Sequence, residues 1–172
     1  MSTLERLRTV LREEGEPLAG ALATVPAGVK AEIGALAASG PRASGDPDEY
    51  ELLVEAIYEG YLLHYATPRL IETEDPNLAL LAGDRLYALG LERLVALGDL
   101  EAVRELADVI MLCALLSARG DGPACELLWL AGARAVGFGA SAEHVRVKLL
   151  LRSGDAGAVA ALAALTEPRA LA

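Results

Sequence analysis

Apolar residues recur every three to four positions along most of the chain, and this spacing predicts amphipathic α-helices. Leu4, Leu7 and Leu11 form the first such face, and Ser2 followed by Glu5 makes a capping box in front of it. No segment has a convincing strand pattern. The predicted helices end at about Glu13, Val25, Ala38, Thr67, Leu97, Arg119, Val136, Arg152 and Leu165.

Prolines mark where the two longest predicted segments begin and end. Asp46-Pro47 and Asp75-Pro76 each place an N-cap side chain before a proline that suits the first helical turn. Pro68 ends the first of these helices, because a proline disfavours helical backbone in the residue before it. A polar connection over residues 68–74 is therefore expected between two long helices.

A glycine and an aspartate, Gly98-Asp99, end one helix and cap the next at once. The two flanking helices are therefore expected to fold back on each other as a hairpin. We predict an all-α, single-domain helical bundle over residues 1–172. Residues 1–45 would supply N-terminal helices and a mobile loop, and residues 46–166 the helical core.

Composition narrows the classes of function. Of 172 residues 53% are hydrophobic and only 4% aromatic, so the chain folds around aliphatic side chains. Fifteen basic and 25 acidic residues give a net charge of −10, which argues against general nucleic-acid binding and against adsorption to an anionic membrane. The acidic N-terminal segment is unlike a signal peptide, and no apolar run is long enough for a transmembrane segment. A cytoplasmic location is the default expectation.

Residues that could ligate a metal are sparse. Cys113 and Cys125 lie in apolar helical surroundings, which predicts reduced, buried thiols. His64 and His144 are far from each other and from the cysteines, so no zinc spacing is present. The acidic residues at 72–75 suit Mg²⁺, although complementing the N-terminal dipole of the next helix is the stronger interpretation. We predict no metal and no cofactor.

One helix resembles a signature of the trans-isoprenyl (polyprenyl) diphosphate synthases, L-L-A-G-D-x-L-x-A. Its residues are Leu80-Leu81-Ala82-Gly83-Asp84-Arg85-Leu86-Tyr87-Ala88. Upstream, residues 57–64 (IYEGYLLH) resemble the helix that leads to the first aspartate-rich motif of that family. Downstream, residues 94–113 and 125–139 resemble its later helices. The resemblance covers about residues 48–152 and implies an isoprenoid-synthase-like bundle, truncated at the C-terminus.

The catalytic motifs of that family have no counterpart in this sequence. Its D-D-x-x-D motif would follow His64, where residues 65–69 read Tyr-Ala-Thr-Pro-Arg without a carboxylate. Such aspartates hold Mg²⁺ against a diphosphate. A Lys-Thr pair is replaced by Pro123-Ala124, and the second aspartate-rich motif, expected beyond about residue 155, does not appear before Ala172. We predict that the chain is not an enzyme and has no catalytic residues.

The resemblance then implies a non-catalytic small or regulatory subunit of a heteromeric trans-polyprenyl diphosphate synthase. Such a subunit would dock on a catalytic prenyl diphosphate synthase subunit and influence chain length, or would form a self-dimer. The family dimerises through helices that correspond to residues 78–97 and 100–119. Both are apolar on more than one face, which a fully buried hairpin explains equally well. The predicted partner interface consists of Leu80, Leu81, Leu86, Leu89, Val109, Leu112 and Leu116.

Two other functions stay open. An apolar-ligand-binding protein would enclose a cavity for an isoprenoid or another apolar molecule. A helical adaptor without a prenyl-synthase role would have a different helix topology. Arg69 and Arg85 are placed to face a diphosphate or a partner, and surface salt bridges explain them equally well. The apolar pocket is predicted near Tyr61, His64, Tyr65 and Tyr87.

Overall fold

Helices form over most of the predicted segments, in a computed structural model that describes residues 1–166. They are α1 (Thr3–Glu13), α2 (Glu32–Ala38), α3 (Pro47–Tyr65), α4 (Pro76–Ala96), α5 (Leu100–Arg119), α6 (Ala124–Phe138), α7 (Ala142–Ser153) and α8 (Ala158–Thr166). This described part contains no strand, and one antiparallel bridge joins Leu22 to Ile71. The all-α prediction is confirmed. The predicted domain also includes residues 167–172, which lie outside the described residues.

Side-chain caps begin the helices that the sequence marks most clearly. The side chains of Ser2, Asp46, Asp75, Asp99 and Ser141 each accept a hydrogen bond from a backbone N–H two or three residues further on. Each bond satisfies a donor that the first helical turn leaves without a partner. These caps fix where α1, α3, α4, α5 and α7 start, and so fix the loops between them.

The segment before α2 is less helical than its apolar spacing predicts. Only a 3₁₀ turn, Ala19–Ala21, forms within residues 17–25, because the N–H of Ala23 donates to the carbonyl of Leu70 instead of to a helical partner. The helix predicted from Pro26 begins at residue 32, after Gly28 turns the chain with a φ of +84°. Contacts with residues distant in sequence therefore override the local pattern.

The loop over residues 39–45 packs against the bundle. A 3₁₀ turn, Pro41–Ala43, occupies its centre, and Ala43 is fully buried. The guanidinium of Arg42 pairs with the carboxylates of Asp99 and Glu101 at the start of α5. This segment therefore ties α2 to the α4–α5 hairpin.

Two hydrophobic clusters share α3. The larger joins α3 to α2 and to α5 through α8, and the smaller joins α3 to α1 and α4. Both faces of α3 are thus covered, and α3 is the central helix of the bundle. The predicted hairpin also forms, since α4 packs against α5 as well as against α3. Its outer face is left without a covering element, as the exposed side chains described below show.

Two glycines allow the backbones of α6 and the residues after α2 to touch. A Cβ atom added to Gly137 would lie 2.3 Å from the carbonyl oxygen of Ala37, and one added to Gly40 would lie 2.1 Å from that of Gly137. Neither neighbour is a flexible side chain, so the helices themselves would have to separate.

We expect Gly137→Ala to lower the free energy of unfolding by about 1–3 kcal/mol, because the added methyl group forces α6 away from α2. Gly122→Ala is the matched control, since its Cβ would meet nothing within 4 Å. Urea unfolding followed by circular dichroism measures both. Equal stability of the two variants would contradict the close backbone contact.

Candidate functional site

An ion cluster joins the middle of α3 to the loop that follows the helix. Glu55 and Glu59 are one turn apart on α3 and fully buried. Arg69 folds back from the following loop and places its Nη2 2.7 Å from Glu55 and its Nε 2.8 Å from Glu59. The guanidinium carbon also lies 5.1 Å from the centre of the Tyr58 ring, within cation–π range.

Every carboxylate oxygen of this cluster has a hydrogen-bond donor. The remaining oxygen of Glu55 accepts from the backbone N–H of Gly34, and that of Glu59 accepts from the N–H groups of Arg69 and Leu70. Burial raises the pKa of Glu55, and the charge of Arg69 opposes that rise. The two carboxylates therefore hold the loop onto α3, and neither has a free oxygen to offer a ligand.

The four aromatic residues predicted to line a pocket do lie together. Ring centroids are 5.7 Å apart for Tyr61 and Tyr65, 5.8 Å for His64 and Tyr65, and 5.3 Å for the stacked pair His64 and Tyr87. These rings therefore contact one another between α3 and α4, with Tyr65 45% exposed. Burial raises the pKa of Tyr87, whose hydroxyl has no hydrogen-bond partner among the described residues.

The seven leucine and valine residues predicted to meet a partner separate into two groups. Leu80 and Leu81 are 49% and 65% exposed. The others point inward from α4 and α5 and pack in the chain's own core, which leaves them no surface to offer a partner. This corrects the prediction for Leu86, Leu89, Val109, Leu112 and Leu116.

Other residues complete an outward apolar surface on these two helices. We call it the α4–α5 face. Three charged side chains, Asp84, Glu92 and Arg104, are interspersed at exposed positions of the two helices. The hairpin is therefore not fully buried, so burial within the chain does not account for all of its apolar residues. The face consists of Leu80, Leu81, Ala88, Val95, Leu100, Ala107 and Met111, all of them exposed.

A buried polar network joins α5 to α7. Glu105 accepts hydrogen bonds from His144 at 2.7 Å and from Lys148 at 2.5 Å, and Lys148 also donates to Asp108 at 2.9 Å. Asp108 in turn pairs with Arg152. The pKa of Lys148 is raised overall. Burial alone would lower this pKa, but the hydrogen bonds to Glu105 and Asp108 outweigh the effect of burial.

Sequence reasoning missed this network, although the pattern for it was present. His144, Lys148 and Arg152 recur every four residues and so share one face of α7. Glu105 and Asp108 are three residues apart and share one face of α5. Matching a basic stripe on one helix with an acidic stripe on another would have paired them.

Cavities of about 490, 280 and 260 Å³ border α6. The largest of these is bordered by Lys30 and by Arg69, and the charge of Arg69 is already paired with Glu55 and Glu59. The smallest, 260 Å³, lies at the C-terminal end of α6 and is bordered by His144 from the buried network and by Arg134. Arg134 has no ion-pair or hydrogen-bond partner among the described residues. This cavity therefore offers the charge of Arg134 to a ligand.

The remaining predicted ligand residues have structural roles. Cys113 and Cys125 are buried free thiols, and Asp75 caps α4. Arg85 forms a salt bridge with Glu14 of α1. Within residues 1–166 no three acidic, histidine or cysteine side chains form a group that could hold a metal ion.

None of the helices in the described part is both long enough and apolar enough to cross a bilayer. A scan of protein-family models finds no match to the chain, and neither curated proteins nor solved structures give a significant match.

Proposed function

We propose that this chain is a non-catalytic binding subunit that docks through the α4–α5 face onto a catalytic trans-prenyl diphosphate synthase. The observation that carries the docking role is the set of exposed apolar side chains on two adjacent helices. Monomeric proteins seldom leave a large contiguous apolar patch in water, and such patches mark sites of association. The identity of the partner rests on the resemblance of residues 48–152.

The chemistry of the α4–α5 face suits a helical partner. Its apolar side chains include Leu81 and Val95, which are 65% and 51% exposed, and charged residues stand among them. Protein–protein interfaces combine apolar and charged side chains in this way. Leucine-rich faces pack well against the ridges of another helix pair.

The end of α3 supports a role without catalysis. The residues at positions 65–69 include no carboxylate, and the nearby Glu55 and Glu59 are fully engaged by Arg69 and backbone N–H groups. A prenyl diphosphate substrate needs free carboxylates to hold Mg²⁺ against its leaving group. We expect the purified chain to give no condensation of isopentenyl diphosphate with an allylic primer in Mg²⁺. Turnover by the chain alone would refute the proposal.

We expect Leu81→Glu to abolish capture of the partner by the tagged full-length chain in its native host, because the change buries a charge in an apolar interface. Leu149→Glu is the matched control, since Leu149 is 56% exposed on α7, away from this face. The proposal requires that mass spectrometry identify a prenyl diphosphate synthase in the captured fraction.

Three results would contradict the proposal. One is equal capture by both variants, and another is a captured fraction without a prenyl synthase. The third is a self-dimer of the purified chain in sedimentation that Leu81→Glu dissociates, because a second copy would then occupy the face.

A further inference from the structure

The 260 Å³ cavity at the C-terminal end of α6 combines apolar walls with cationic and polar groups at one side. Leu36, Leu130, Phe138 and Leu165 supply apolar walls from three helices. Arg134 borders the same cavity and has no ion-pair partner among the described residues. Mostly apolar walls with a single charged side chain are typical of a site for an amphipathic small molecule.

His144 adds a polar group that is almost wholly buried, with only 4% of the residue exposed. Its Nε2 is held by Glu105, and none of the described residues forms a hydrogen bond with its Nδ1. The residue borders the cavity. Because Nε2 donates to Glu105, Nδ1 of the neutral ring is an acceptor, so the ring gives the cavity a polar edge without holding an anion itself.

The start of α7 adds positive potential to the same side. Ser141, its N-cap, borders the cavity, and α7 is 12 residues long. The first N–H groups of a helix carry partial positive charge and favour an anion. Glu143 in this turn pairs with Arg146, so its carboxylate is partly neutralised. An unpaired arginine and a helix N-terminus at one edge therefore select for negative charge.

The volume sets the size of the molecule. A water-sized group occupies roughly 30 Å³, so a cavity of 260 Å³ accommodates about nine such groups. A carboxylate with an aliphatic tail of roughly six to eight carbons matches this volume. Its charged group suits Arg134, and its tail suits the apolar lining residues. A diphosphate would need more positive charge than one arginine provides.

We propose that this cavity binds a medium-chain monocarboxylate, with the carboxylate at Arg134 and the start of α7 and the tail between Leu130, Phe138 and Leu165. The cavity is bordered chiefly by α6, α7 and α8, whereas the proposed docking face lies on α4 and α5. The two proposals can therefore fail independently.

Isothermal titration calorimetry of the full chain with octanoate tests the site. Octanoate should saturate one site per chain, whereas octan-1-ol, which has the same tail without the charge, and acetate, which lacks the tail, should bind far more weakly. Arg134→Gln should weaken octanoate binding by about tenfold or more, because it removes a charge-assisted hydrogen bond. Arg12→Gln, an exposed position on α1, is the matched control.

Arg134 is exposed and unpaired among the described residues, so its variant is expected to fold, and an unchanged circular dichroism melting curve verifies this. Three outcomes would overturn the proposal. They are a failure of octanoate to saturate, binding of octan-1-ol as tight as that of octanoate, and equal octanoate affinity in Arg134→Gln and Arg12→Gln.

Discussion

Arg69→Met should lower the free energy of unfolding by about 3–5 kcal/mol at pH 7, because it leaves two buried carboxylates without their cation. Glu55 and Glu59 are fully buried, and Arg69 is the side chain that pairs with both. Methionine retains much of the length and apolar character of arginine, so the loss reports chiefly on charge. Urea unfolding at pH 7, followed by circular dichroism, measures the difference.

The pH dependence identifies the cause of that loss. Burial raises the pKa of Glu55 above its ordinary 4.5, so the folded chain disfavours the charged form relative to the unfolded chain. The contribution of Glu55 to the free energy of unfolding is therefore fully present below pH 4.5 and is lost as the pH rises through its raised pKa. Without Arg69 the pKa rises further. We expect the variant to lose less stability, relative to the unmodified chain, at pH 5 than at pH 7.

Two comparisons separate this effect from a general effect of removing an arginine. Arg146→Met, in which the pair with Glu143 is about half exposed, should leave the free energy of unfolding nearly unchanged. Combining Arg69→Met with Glu55→Gln and Glu59→Gln should recover roughly half of the loss, because neutral amides still accept the backbone N–H groups. A large loss for Arg146→Met, or no recovery in the triple variant, would contradict the buried-charge explanation.

The contrast between Arg69 and the helix caps shows how far the sequence could predict this fold. Asp99 caps α5 by accepting a hydrogen bond from the backbone N–H of Ala102, three positions further on. Because both residues lie in one short segment, this cap could be predicted from the sequence. Arg69 reaches Glu55 and Glu59 over 14 and 10 positions through a loop. This cluster was not predicted from the sequence, because no local pattern pairs Arg69 with either glutamate.

The apolar residues of α4 show a second limit. Periodicity assigns Leu81 and Leu86 equally to apolar positions, because the helix is apolar on more than one side. Only packing against α3 decides that Leu86 is buried while Leu81 is exposed. The same holds for the candidate ligand site, where Glu105 and His144 meet across 39 positions. Local patterns therefore predict elements well, and sites that join distant elements poorly.

Trp129→Ala should lower the free energy of unfolding by about 3–5 kcal/mol, because it opens a large cavity at the centre of the main cluster. Trp129 is fully buried, and its ring lies 5.3 Å from that of Tyr58 and 5.5 Å from that of Tyr61. Trp129→Phe should cost clearly less. Its indole N–H has no hydrogen-bond partner among the described residues, so no such bond is broken.

Phe138 provides the matched control on the same helix, since it is 52% exposed at the C-terminal end of α6. Phe138→Ala should cost less than about 1 kcal/mol in stability. In octanoate binding we expect the opposite order, with Phe138→Ala having the larger effect. Phe138→Ala weakens binding by removing a wall of the cavity, whereas Trp129→Ala, measured where it is still folded, keeps the affinity. Circular dichroism gives stability and calorimetry gives affinity for each variant. Loss of affinity in Trp129→Ala alone would place the ligand at the core, beside Tyr58 and Tyr61, and not at the end of α6.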